Sequence, residues 1–134
     1  MDIKERSAYH YCEKDMNCAE SVLHGADDAL GLELPDCAFR AIGAFGGGCG
    51  CGEMCGAVAA SVETLGLLHI KTRAHESADV ADITKDFIDR HRELYGSVLC
   101  RDLKERNWDE ANGKCLSTVK NASALLEETI KKYE

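Results

Sequence analysis

The chain has 134 residues, of which 45% are hydrophobic, enough for a single globular domain (residues 1–134) with a buried core. Its formal net charge of −8 opposes binding to nucleic acid and to anionic lipid, and no apolar stretch is long enough to insert into a membrane. The charged first residues do not look like a secretion signal, so we expect a cytoplasmic protein.

Helix-forming residues dominate the chain, and their spacing predicts an all-α fold: a compact bundle of six or seven short helices with a glycine-rich cysteine loop. Asn17 and Glu20 have the spacing of a capping box, and Gly31 suits the end of the helix that they open. We expect Pro35 in the first turn of the next helix and Gly96 at the end of a later one. The predicted helices cover about residues 3–15, 17–30, 35–45, 54–70, 77–95, 98–106 and 114–133.

Three further expectations concern burial and the last turn. Cys12 and Cys37 are expected to be small buried hydrophobic residues. A turn through residues 112–113 is expected before the last helix. In the 77–95 helix, the apolar side chains expected to face the core are Val80, Ile83, Phe87, Ile88 and Leu94.

Five of the seven residues 46–52 are glycines, which predicts a loop rather than a helix. The loop lacks the Gly-Lys-Ser/Thr ending of a phosphate-binding loop, and no strand pattern precedes it, so nucleotide binding is disfavoured. Glycines instead let the backbone approach a sulfur site closely. The glycines expected at a cofactor site are Gly47, Gly48, Gly50, Gly52 and Gly56.

Eight cysteines in a chain of this length favour metal binding or redox chemistry in a reducing compartment. Four of them fall at or near predicted helix starts: Cys18, Cys55, Cys100 and Cys115. Each of three apolar stripes, which begin at Cys18, Cys55 and Cys115, points its thiol towards the core. A helix start presents free amides and a partial positive charge, and both favour the thiolate, which binds metals and attacks disulfides. If these helix starts meet at one end of the bundle, the four sulfur atoms converge there.

Four segments resemble the C_GCAxxG_C_C family of redox-active proteins: NCAESVL (17–23), FGGG (45–48), EMCGAV (53–58) and YGSVLCRDL (95–103). The resemblance implies redox activity and places the four signature cysteines on Cys18, Cys55, Cys100 and Cys115. The family is also similar to the iron–sulfur part of split-Soret cytochromes, which implies an iron–sulfur cluster. This chain departs from the pattern at Ala60, where a glycine is usual, and it adds Cys49 and Cys51 in the loop.

Three functions remain open from the sequence. The first is electron transfer through an iron–sulfur cluster on the four cysteines, as an oxidoreductase or its accessory protein. The second is a cluster-free thiol–disulfide oxidoreductase, in which Cys55 attacks and Cys49 or Cys51 resolves. The third is a zinc or soft-metal binding module on the same thiols.

Two other residues and the surface charge bear on the site and its partners. His69 shares the Cys55 stripe and is a spare ligand candidate, and Trp108 is expected either to cover the helix starts or to form a dimer contact. The acidic composition would suit a redox partner protein with a basic docking face. A homodimer is a further expectation.

Overall fold

A computed structural model describes residues 1–109 and 115–134, and within them the chain is all-α, as predicted. No helix in these residues is both long and apolar enough to cross a membrane. The turn predicted at residues 112–113 lies outside the described residues. The helices are α1 (Ile3–Glu13), α2 (Cys18–Leu30), α3 (Asp36–Gly43), α4 (Gly56–His69), α5 (Val80–Tyr95), α6 (Cys100–Asn107) and α7 (Leu116–Lys132).

The capping box at the start of α2 is confirmed. The Asn17 side-chain oxygen accepts from the Glu20 N–H at 2.9 Å, and Glu20 Oε1 accepts from the Asn17 N–H at 3.1 Å. Gly31 and Gly96 end α2 and α5 with φ values of 63° and 83°, the left-handed conformation that favours glycine. Pro35 differs slightly from expectation, because it precedes α3 in an extended conformation rather than lying in its first turn.

The core forms where α2 and α4 pack together and where α1, α5 and α7 close around them. α1 contacts both α2 and α7, and α4 contacts both α5 and α7. This arrangement buries the apolar stripes predicted on α2, α4 and α7. The largest apolar side chains with no more than 1% exposure are Ile3, Leu23, Leu65, Ile83, Phe87, Leu103 and Leu126.

Three burial predictions are wrong. Cys12 and Cys37 are exposed, since each lies on a helix side that no neighbouring helix covers. Leu94 is 43% exposed, although Ile83 and Phe87 are buried as expected. The covered face of α5 advances in steps of four residues through His91 to the partly buried Tyr95, so it has turned away from Leu94 by the last turn.

A candidate site of four thiols at helix starts

Four helices begin at a cysteine, as the sequence predicted. Cys18 and Cys100 are the first residues of α2 and α6, and Cys55 and Cys115 immediately precede α4 and α7. Cys55 is buried, with 3% of its surface exposed, and the other three are partly buried. The four positions belong to segments far apart in sequence, so their relation depends on how the helices pack.

Three of these thiols line one pocket of about 270 Å³. Cys18, Cys100 and Cys115 form part of its wall, together with Gly47 from the glycine loop and Trp108 from the end of α6. This pocket is lined by α2, α6 and the start of α7, so the packing of the helices brings together three helix starts that are distant in sequence.

Cys55 lies directly beside this pocket. A Cβ atom built on the adjacent Gly56 would stand 2.8 Å from Cys18 Sγ, which puts the start of α4 against the Cys18 thiol. Charge on Cys18 or on Cys100 would raise the pKa of Cys55, so all three groups are close enough to interact electrostatically. The four predicted cysteines are therefore neighbours at one end of the bundle.

Main-chain hydrogen bonds join the segments that carry Cys55 and Cys100. Met54 and Leu99 form an antiparallel bridge. The Cys55 N–H donates to the Val98 carbonyl at 2.8 Å, and the Cys100 N–H donates to the Glu53 carbonyl at 2.6 Å. These main-chain bonds position both cysteines without the help of a ligand.

The electrostatics of the site differ from the prediction that helix starts would favour thiolates. Burial raises the pKa of Cys55 to about 12, with a further contribution from Cys18, and hydrogen bonds from the Val58 and Ala57 backbone only partly offset this. Burial also raises the pKa of Cys100 and of Cys115, although Lys104 acts in the opposite direction. At these three thiols, desolvation therefore outweighs the helix-start amides.

Three of the five predicted site glycines approach the thiols. Gly47 lines the pocket, Gly56 abuts Cys18, and a Cβ built on Gly48 would stand 2.6 Å from Cys100 Cβ. A Cβ on Gly50 would meet open space, and one on Gly52 would contact the Arg101 side chain at 3.3 Å. Neither of these Cβ atoms would thus have one of the four thiols among its nearest neighbours.

His69 is not placed to act as a spare ligand. It is the last residue of the 14-residue α4, while Cys55 precedes the first, so the two ends lie about 20 Å apart at 1.5 Å per residue. Sharing a helix stripe does not bring residues together along the axis. Trp108 does line the pocket, as the covering role requires, while remaining 43% exposed.

Tyr11 and Lys104 belong to the site, and the sequence analysis identified neither of them. The Tyr11 hydroxyl accepts a hydrogen bond from the Cys115 N–H at 3.0 Å, and Tyr11 lines the pocket. No local pattern links residues this far apart in the chain. Lys104 also lines the pocket. It lies four residues after Cys100, which is one helical turn, so its proximity had a sequence signal.

Among residues 1–109 and 115–134, no group of three or more His, Cys, Asp or Glu side chains has the arrangement of a metal-ion site. The ligand set therefore stays a prediction.

The fold and the site define a cysteine-rich all-α protein with four thiols gathered at helix starts. Residues 16–129 match the family model described as "Putative redox-active protein (C_GCAxxG_C_C)", and the chain belongs to this family. No curated protein and no solved structure matches the chain.

Proposed function

We propose that Cys18, Cys55, Cys100 and Cys115 hold an iron–sulfur cluster and that the protein transfers electrons through it. The observation that carries this proposal is the gathering of four thiols from four separate helix starts beside one pocket. Four thiolates are the ligand set of both [2Fe–2S] and [4Fe–4S] clusters, and such clusters supply one-electron chemistry when bound.

The charge balance of the site supports a cationic occupant. Burial and neighbouring thiols raise the pKa of Cys55, Cys100 and Cys115, so several thiolates together are unfavourable unless positive charge lies among them. A bound metal supplies that charge, and a coordinating thiol is deprotonated outright. Iron ions would thus convert an unfavourable group of thiolates into a stable ligand set.

Protein groups around the pocket are suited to tune and protect such a site. The backbone N–H groups of Val58 and Ala57 act to lower the pKa of Cys55, and amide bonds to ligand sulfur are one means of setting a cluster potential. Lys104 adds a positive charge beside the pocket. Trp108 lines the same pocket.

We further propose that the protein works in the cytoplasm with a redox partner protein. The net charge of −8 favours a partner whose docking face is basic, because complementary charge speeds association and selects orientation. A homodimer would be an additional arrangement, testable by light scattering.

Anaerobic reconstitution with iron and sulfide tests the proposal. We expect a brown protein with visible absorption, bound iron and sulfide, and a reversible loss of colour on reduction. Cys55→Ser should lose most of the absorption and iron. Cys37→Ser is the matched control, because its thiol is exposed on α3, and it should behave as the parent protein does.

Other outcomes would contradict the proposal. Bound zinc without any change of oxidation state would favour the metal-module alternative, and a colourless protein free of iron after reconstitution would exclude the cluster. A dithiol mechanism led by Cys55 is poorly supported, since this thiol is 3% exposed and burial raises its pKa to about 12.

A further inference from the structure

The glycine loop has an inner side that faces the four thiols and an outer side that does not. Gly48 is buried, and its Cα lies against the Cys100 side chain. Cys49 and Cys51, on either side of Gly50, are both exposed. Neither of them lines the pocket of the four-thiol site. The loop thus carries two additional thiols on its solvent side, where the proposed cluster has no use for them.

The backbone at Cys49 is in a conformation that favours glycine. Gly47, Gly48, Cys49 and Gly50 have φ values of 66°, 63°, 59° and 73°, which form a short left-handed segment. Residues with a Cβ atom are strained in this conformation, and the other three positions avoid the strain by being glycine. The flanking glycines thus hold the backbone of Cys49 in this turn, and Cys49 is exposed there.

The surroundings leave both thiols accessible to another molecule. A Cβ built on Gly50 would find no atom within 4 Å, so the space beside the intervening residue is open. The Cys51 thiol donates to the Gly48 carbonyl at 3.5 Å, which holds it close to the left-handed turn that contains Cys49. Only one residue separates the two cysteines, so each thiol is at a high local concentration relative to the other.

We propose that Cys49 and Cys51 form a second redox site, a surface dithiol that reduces exposed disulfides independently of the four-thiol site. Its substrate class is a disulfide, carried either by a small molecule or by a protein. This inference goes beyond the proposed function, because it requires no cluster and none of the four pocket cysteines.

The reaction is a two-step thiol–disulfide exchange. The Cys49 thiolate attacks one sulfur of the substrate, the substrate S–S bond breaks, and one substrate thiolate leaves and takes up a proton. The Cys51 thiolate then attacks the Cys49 sulfur and displaces the second substrate thiolate, which is also protonated. In total, two electrons and two protons pass to the substrate, and a Cys49–Cys51 disulfide remains on the protein.

The test uses the reduced full chain, kept under anaerobic conditions, with oxidised glutathione as the small-molecule probe and insulin as the protein probe. After quenching by alkylation, tryptic mapping follows the peptide of residues 41–71, which contains Cys49, Cys51 and Cys55. We expect a disulfide between Cys49 and Cys51, with Cys55 alkylated after unfolding. The probe that is reduced faster identifies the source of the substrate disulfide.

Variants separate this site from other exposed thiols. Cys49→Ser and Cys51→Ser should each lower the rate of probe-disulfide reduction at least ten-fold. Cys51→Ser should also accumulate a mixed disulfide between Cys49 and the probe. The matched controls are Cys12→Ser and Cys37→Ser, whose thiols are exposed on helices without a second cysteine two residues away, and they should retain the parent rate.

Iron content after reconstitution should be unchanged in Cys49→Ser and Cys51→Ser, so this test is independent of the cluster proposal. A disulfide from Cys49 or Cys51 to Cys55, or an unchanged rate in both variants, would overturn the inference.

Discussion

Gly56 stands against the thiol of Cys18, so close that an added Cβ atom would lie 2.8 Å from its sulfur. The same atom would lie 3.0 Å from Ala19 Cβ and 3.0 Å from the Phe45 carbonyl oxygen. Three separate segments therefore meet at a position where only a hydrogen atom fits. The start of α4 depends on this glycine for its approach to α2.

Gly56→Ala should consequently destabilise the protein by roughly 1–3 kcal/mol, since crowded packing must be relieved by shifting α4 away from Cys18. The reconstituted variant should also hold less iron. Urea denaturation and iron analysis measure the two effects. Gly66→Ala is the matched control on the same helix, because its nearest neighbour would be Ile70 Cδ1 at 3.8 Å. It should stabilise the protein by about 0.5–1 kcal/mol, and equal effects of the two changes would refute the close-packing argument.

Trp108 offers an internal reporter of the pocket, because it is the single tryptophan of the chain and lines the pocket wall. If a cluster binds there, its visible absorption should quench tryptophan emission as iron is incorporated. Trp108→Ala should open the pocket and increase the rate of iron loss in air several-fold. Leu67→Ala, at an exposed apolar residue of α4, should leave that rate unchanged. Constant emission during reconstitution would argue against a cluster in this pocket.

His91 should make the protein less stable in mild acid. It is 1% exposed, and its Nδ1–H donates to the Ser97 carbonyl at 2.9 Å. Burial lowers the pKa of His91 below its ordinary value of 6.5, so the folded state binds fewer protons than the unfolded state as the pH falls below that value. The titration of His91 therefore leaves the free energy of unfolding unchanged above pH 6.5 and decreases it progressively on acidification below that value.

Urea denaturation across this pH range measures the effect as a slope of unfolding free energy against pH. His91→Gln should reduce the slope even if it lowers stability at every pH. Part of the slope of unfolding free energy against pH should remain in His91→Gln, because burial and the nearby His10 lower the pKa of His24 as well. His75→Gln, at an exposed histidine, should leave the slope unchanged. A His91→Gln slope equal to that of the parent would contradict the assignment.

Cys49→Gly should increase the free energy of unfolding by roughly 1 kcal/mol, since glycine adopts the left-handed backbone without strain. The same variant should lose disulfide reduction, so that stability and activity change in opposite directions. Cys51→Gly is the control, because φ at Cys51 is −140° and no left-handed strain is relieved there. Stabilisation by both changes would show that the effect does not arise from the backbone at Cys49.

Features set by near neighbours in the sequence were predictable. The capping box of Asn17 and Glu20 joins residues three positions apart, so the same short segment contains all of its partners. The position of the four thiols at helix starts was predictable for the same reason, because capping and turn residues that mark a helix start lie close to it in sequence. The buried stripes of α2, α4 and α7 follow from helical periodicity, because each stripe had to meet a neighbour to be buried.

Features set by tertiary packing were not predictable in the same way. Whether Cys12 or Cys37 is covered depends on which helix lies opposite, and a small residue that tolerates either environment gives no indication. The rise in the pKa of Cys55 depends on depth of burial, which the amide-rich start of α4 does not reveal. Tyr11 reaches Cys115 from the other end of the chain. Local sequence therefore identified the thiols but not their protonation.

The bridge between Met54 and Leu99 has a consequence for how the protein can be altered. Cys55 and Cys100 are anchored through their own peptide N–H groups, which every amino acid except proline retains. Replacing either sulfur with oxygen should leave that scaffold standing, so a loss of cofactor in such variants reports on the missing sulfur atom alone. Two of the four proposed ligands, Cys55 and Cys100, are thus held by main-chain hydrogen bonds that side-chain substitution at these positions leaves in place.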